Sequence, residues 1–221
     1  MKLLLNALTK YIMGLLLVGA LLFLPAGTLG YTNGWLFIGL LFVPMLFLGI
    51  VLLVKSPELL RKRLDAREKE NTQKGVVALS ALLFIAGFVV AGLDFRFGWT
   101  DVPLWCVVTA SAVLLLSYGL YAEVMRENAY LSRTIEVQEN QTVISTGLYG
   151  VVRHPMYAAT LLMFLPLPLI LGSFWGLCAF ALYPVILVIR IRNEEAVLRE
   201  QLDGYADYLT KVKYRLIPFV W

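Results

Sequence analysis

Charge is scarce in this chain. Only 15% of its 221 residues are Asp, Glu, Lys or Arg, while 60% are hydrophobic and the mean hydropathy is +0.77. An ordinary soluble domain carries ~25% charged residues, so the composition defines an integral membrane protein. Metal ligands are equally sparse. There is a single histidine, His154, and the two cysteines, Cys106 and Cys178, both sit inside apolar runs and read as packing residues. Zinc chemistry needs several such ligands converging, and their scarcity leaves no metal site to expect. No Walker-type phosphate loop and no G-x-G-x-x-G occurs, so neither a P-loop enzyme nor a soluble dinucleotide-binding fold is indicated. The net charge of +4 does not point to nucleic acid, because the basic residues lie mainly beside apolar spans.

What is present is a series of apolar runs. Tyr11 to Ala26, extended by Leu3 to Leu8, reads as a retained first helix, with a signal peptide as the rival. Trp35 to Val54 is a second span, with a kink expected at Pro44. Gly75 to Leu93 and Val102 to Ala122 are the third and fourth. Met156 to Leu171, broken by Pro166 and Pro168, turns at Gly172-Ser173 into Phe174 to Ile191, which makes a helical hairpin. The expected architecture is all-α: a polytopic bundle of about six spans with a C-terminal helical cap. Residues 1–122 hold the N-terminal helices and a charged loop at 55–74, and residues 123–221 hold the chemistry.

In the charged loop, Ser56-Pro57-Glu58 is a helix-start signal, and Pro57 to Glu70 reads as a surface helix with no role beyond topology. Ile135-Glu136-Val137 and Thr142-Val143-Ile144 suggest a brief extended turn or hairpin. With the N-terminus inside, the outer links are Gly27–Gly34, Asp94–Asp101 and Gly172–Ser173. Of 19 Lys and Arg residues only Arg96 then falls outside, as the positive-inside rule requires. This layout puts the N-terminus, the tail after Ile191 and the stretch Thr146 to Tyr157 on the cytoplasmic face.

That stretch is the most informative. It packs two glycines, two tyrosines, Arg153 and His154 ahead of Pro155, and proline is well suited to the first position of a helix. A helix starting there would direct N–H groups and a partial positive charge at an anion. The bland reading is a polar loop capping a membrane helix. The hairpin brings a second cluster, Arg190, Arg192, Asn193, Glu194 and Glu195, back to the first, and Arg190 and Glu194 stand at i,i+4. Ionisable groups at a membrane-helix edge are costly and often functional. Carboxylates suit a cation, N–H groups and arginine suit an anion, and tyrosines suit a flat ring. S-adenosylmethionine offers all three.

The run Gly147-Leu148-Tyr149-Gly150-Val151-Val152-Arg153-His154-Pro155-Met156-Tyr157 resembles the G-x-Y-x-x-x-R-H-P-x-Y signature of the isoprenylcysteine carboxyl methyltransferase and phospholipid methyltransferase superfamily. Arg190 to Leu198, followed by Tyr205, Tyr208 and Val212, resembles its R-x-x-x-E-E-x-x-L…Y-x-x-Y-x-x-x-V tail. The resemblance covers roughly Gly147 to Pro218 and implies an S-adenosylmethionine-dependent methyltransferase that acts on lipid or prenylated substrates among membrane lipids. Carried over by position, it implies that Tyr149, Arg153, His154, Pro155, Tyr157, Tyr205 and Tyr208 shape the cofactor pocket and that Glu194 and Glu195 hold the cationic end of the cofactor. Arg190, Glu194 and Glu195 are the candidate catalytic residues, and Arg192 and Arg215 the candidate substrate-binding ones. A carboxylate acceptor would need a cation to steer it, and an amine would need a base. The carboxyl methyltransferase-like reading is favoured, with a phosphatidylethanolamine-type N-methyltransferase or a non-enzymatic membrane scaffold as alternatives.

Overall fold

The computed structural model describes residues 2–65, 71–132, 134 and 137–221, with the side chains of residues 71 and 72 also outside the description. The end of the expected surface helix, at 66–70, and Ile135-Glu136 of the expected hairpin lie outside the described residues. Among the described residues ten α-helices follow one another: α1 Lys2–Ala26, α2 Thr32–Lys55, α3 Pro57–Leu64, α4 Asn71–Phe97, α5 Leu104–Glu127, α6 Pro155–Phe164, α7 Leu167–Ile170, α8 Phe174–Phe180, α9 Tyr183–Gln201 and α10 Tyr205–Lys211. A single 3-10 turn occupies Gly147–Gly150. The bundle is all-helical, and Thr142 to Ile144 carry no strand.

Among the described residues five stretches are long and apolar enough to cross a membrane: Lys2–Ala26, Thr32–Lys55, Gln73–Phe97, Leu104–Glu127 and Phe174–Gln201. The expected sixth span is shorter than a crossing. Pro155–Ile170 would extend only ~24 Å at 1.5 Å per residue, short of a ~30 Å hydrocarbon core. The cause is the pair of prolines: Pro166 and Pro168 cannot donate to the ladder, so α6 ends at Phe164 and α7 is a single turn. Pro44 and Pro25, by contrast, are carried inside continuous helices.

The short segment still reaches the far end of the bundle. There Tyr31 Oη donates to the Leu171 carbonyl at 2.5 Å, and Ser173 Oγ donates to Asp94 Oδ2 at 2.5 Å while capping α8 by accepting from Gly176 N. Asp94 also accepts from Thr100 N at 2.9 Å and Thr100 Oγ1 at 2.7 Å. The hairpin turn is therefore fastened to the end of α4, opposite the end at which α5 and α9 deliver the polar clusters.

α4 packs against α1, α8 and α9, and α5 packs against α6 and α7. Small residues permit the closest approaches. A Cβ on Gly92 would meet the Leu22 carbonyl at 2.5 Å, and one on Gly87 would meet the Phe180 ring at 2.2 Å. Without a hydrophobic difference between helix and lipid, such close packing is what associates membrane helices. Large apolar side chains such as Leu16, Phe47, Trp105 and Leu116 point outward, as a lipid-facing surface requires.

Candidate active site

The Thr146–Tyr157 stretch folds against the end of α5 and the tail. Gly147 has φ +54°, and a Cβ there would fall 1.7 Å from Glu127 Oε1. The glycine lets Glu127 close on the turn and accept from Leu148 N at 2.9 and 3.2 Å. Tyr149 is buried; its Oη accepts from Asn128 Nδ2 at 3.0 Å, and its carbonyl accepts from Tyr208 Oη at 2.7 Å. α6 begins at Pro155, as its sequence demands.

The position suited to an anion ahead of α6 is filled from within the chain. The N–H groups of Arg153 and His154 donate to the carbonyls of Tyr214 and Arg215, both at 2.9 Å. Arg153 spends its guanidinium on the end of α10 and on a carboxylate: Nε donates to Val212 O at 2.6 Å, Nη2 to Leu209 O at 3.0 Å and Nη1 to Glu195 Oε1 at 3.1 Å. Basic groups are favoured at helix C-termini, where carbonyls lack partners. Glu195, 4% exposed, also meets His154 Nε2 at 3.4 Å and accepts from Arg215 Nε at 2.8 Å. It is the hub that clamps the tail onto the motif.

Glu194 and Glu195 thus separate. Glu194 lines a cavity of about 690 Å³, together with Tyr149, Arg153, His154, Tyr157, Arg190, Tyr205 and Tyr208. Its Oε2 accepts from Tyr157 Oη at 2.5 Å, and Arg190 Nε donates to the same hydroxyl at 2.9 Å, so Tyr157 stands between the i,i+4 partners. Glu195, Arg192 and Arg215 line a separate, smaller cleft with Arg199 and Glu200. Pro155 is buried and is not among the residues that line either.

The cavity is polar at one end and apolar along its length. Leu41 and Met45 of α2, Phe84 of α4, Met163 of α6 and Ile186 and Leu187 of α9 form the apolar wall. Its volume falls within the ~300–1,000 Å³ of small-molecule sites. Burial, with Glu195 adding and Arg153 opposing, pushes Tyr208 up to about 12, and burial beside both carboxylates raises Tyr205 further still. Both phenols therefore remain neutral donors. Tyr205 Oη is buried on the cavity wall with no hydrogen-bond partner among the described residues.

Several residues around the site escaped the sequence reading. Asn128 on the cavity wall and Glu127 behind it, which brace the motif, follow a span that reads only as apolar. Tyr118 and Tyr121 line the cavity from α5, and Tyr118 Oη donates to Leu41 O at 2.5 Å. Hydroxyl-bearing rings three apart in a membrane helix were the available signal. Arg63 of α3 also reaches the wall, from the helix that reads as topology alone.

Residues 105–203, a little under half of the chain, match the family described as phospholipid methyltransferase. That match runs from α5 through α9 and spans the first motif and Arg190 to Leu198 of the second. Among curated proteins, the chain is 29% identical over 97 residues to the uncharacterized protein YpbQ of Bacillus subtilis, covering 43% of this chain and 58% of that one. It is 32% identical over 91 residues to the Delta(14)-sterol reductase TM7SF2 of Mus musculus, covering 40% of this chain and 22% of that one. The chain therefore spans less than two thirds of either relative.

Proposed function

We propose that the protein is an S-adenosylmethionine-dependent methyltransferase acting on a lipophilic acceptor at the cytoplasmic face of the membrane. The observation that carries this reading is a cavity whose polar end holds Glu194, Tyr205 and Tyr208 and whose body is apolar and lies among spanning helices. The donor set fits the cofactor. The Glu194 carboxylate suits its cationic centres, the unpartnered Tyr205 hydroxyl suits an anionic or hydroxyl oxygen, and the buried tyrosines offer ring faces for an adenine. Bound there, S-adenosylmethionine would supply an electrophilic methyl group. The chain's own contribution is positional. Arg190 holds Tyr157 and Tyr157 holds Glu194, which fixes the carboxylate, while the apolar wall takes the acceptor's hydrocarbon and excludes water. Glu195, with Arg153 and Arg215, seats the tail behind the site.

A carboxylate acceptor needs only orientation, which the cationic Arg190 on the wall supports, and we favour it. An amine must lose a proton first, and Glu194 and His154 are the bases on the wall. The phospholipid methyltransferase match supports an amine-bearing phospholipid as the second reading. The orientation rests on the basic residues and on the packing of Lys10 against the end of α3, the face that also bears the site.

The test is binding of S-adenosylmethionine by the purified protein, then methyl transfer from labelled cofactor to a prenylcysteine analogue and to a total lipid extract. Glu194→Gln should weaken cofactor binding at least about tenfold, the size of one charge-assisted contact, with unfolding temperature little changed. Undiminished binding in that variant overturns the role of Glu194. Absence of binding by the parent protein would favour a scaffold.

A further inference from the structure

Arg63 is a half-buried cation on the cavity wall without a carboxylate partner among the described residues. Its Nη1 donates to Ser132 O at 3.0 Å, its Nη2 donates to Tyr121 Oη, and its guanidinium lies 5.4 Å from the Tyr121 ring centre. Guanidinium carries five N–H donors, so three are left over. The other two cations of this helix are engaged elsewhere: Lys62 on Gln138 Oε1 and Ala129 O and over the Tyr130 ring, and Arg61 with Glu58 at 3.4 Å. The Arg153 charge is met by Glu195, and Arg190 shares Tyr157 with Glu194. Arg63 is thus a wall cation with no carboxylate partner among the described residues. A charge withdrawn from water without a counter-ion is costly, and a ligand that brings the anion removes that cost.

We infer that Arg63, seated on Tyr121, is a substrate-binding residue that selects acceptors bearing an anionic group, a carboxylate or a phosphate, at the mouth of the cavity. The inference rests on the reading of the cavity as the acceptor site. It also gives α3, which lies outside the family match at 105–203, a role in specificity. The planar fork pairs with either anion through two parallel hydrogen bonds. Tyr121 and the Ser132 carbonyl hold that fork in place beforehand.

The experiment measures equilibrium binding by the full chain in detergent or nanodiscs, without turnover. The probes are a prenylcysteine analogue with a free carboxylate, its neutral primary amide, a lysophospholipid ending in a phosphomonoester, and the corresponding uncharged monoacylglycerol. The parent protein should bind at least one anionic probe about tenfold more tightly than its neutral partner, the size of a charge-assisted contact. The anion that shows the preference names the source. Arg63→Gln should abolish the preference and Arg63→Lys should retain part of it, with S-adenosylmethionine affinity unchanged in both. Equal binding of each anionic probe and its neutral partner by the parent protein overturns the inference whether or not any variant folds, as does an undiminished preference in Arg63→Gln. Cofactor binding is read separately, so failure here is distinct from failure of the methyltransferase reading.

Discussion

Two buried carboxylates, Asp94 and Glu195, lie at opposite ends of the bundle and are held by different chemistry. Asp94, 1% exposed, is met by two hydroxyls and a backbone N–H. Glu195 is met by Arg153, Arg215 and His154. The neutral clamp closes a turn and leaves nothing over. The ionic clamp holds down a tail, and the residue next to it, Glu194, faces a cavity instead. The same fastening principle serves structure alone at one end and frames a site at the other.

Removing each carboxylate tests that contrast and carries the largest expected effect. Glu195→Ala leaves Arg153 buried without its anion, a loss of about 3–5 kcal/mol. Asp94→Asn keeps the shape but replaces one acceptor oxygen by an NH2 group that faces donors, at a cost of about 1–3 kcal/mol. Unfolding midpoints in detergent should therefore separate the two, and Asp94→Asn should leave cofactor affinity intact. Equal losses would show that the two ends are held alike.

The turns at the two ends give a smaller contrast. Gly147 and Gly98 both have positive φ, +54° and +62°, but a Cβ on Gly147 collides with Glu127 whereas one on Gly98 meets nothing within 4 Å. Gly98→Ala should cost only the backbone strain, about 1–2 kcal/mol. Gly147→Ala should cost that strain and also expel Glu127 from Leu148 N, for a total of about 2–3 kcal/mol. If the two variants melt together, Glu127 is not bracing the motif.

The five full spans and the places where helices begin and break were legible because hydropathy and proline placement are local properties. Pro155 begins α6 and Pro166 and Pro168 break the following helix, and each effect follows from a missing N–H in a known place. What was not legible depends on which way a helix turns its faces. Glu194 and Glu195 are adjacent in sequence, yet one lines the cavity and the other is consumed by the tail. Only the docking of residues 209–215 on Arg153 and His154 decides this. Arg63 was hidden for the same reason: a surface helix reads as solvated until the loop at 128–132 is seen to fold over it.

The finest test sets two neighbouring tyrosines against each other. Tyr205 and Tyr208 have ring centres 5.7 Å apart and are equally buried. Tyr208 Oη donates to the Tyr149 carbonyl, whereas Tyr205 Oη has no partner among the described residues. Tyr208→Phe removes a hydrogen bond and should destabilise the protein by about 1 kcal/mol. Tyr205→Phe removes a buried hydroxyl that the fold does not satisfy, so stability should hold or rise by up to about 1 kcal/mol. Affinity for S-adenosylmethionine should move the other way, falling several-fold in Tyr205→Phe, because a donor kept unsatisfied in the free protein is satisfied only by what binds. Melting curves and cofactor titrations of the two variants decide the matter. Loss of stability without loss of affinity in Tyr205→Phe would assign that hydroxyl to the fastening of the tail and leave Glu194 as the polar end of the cavity without it.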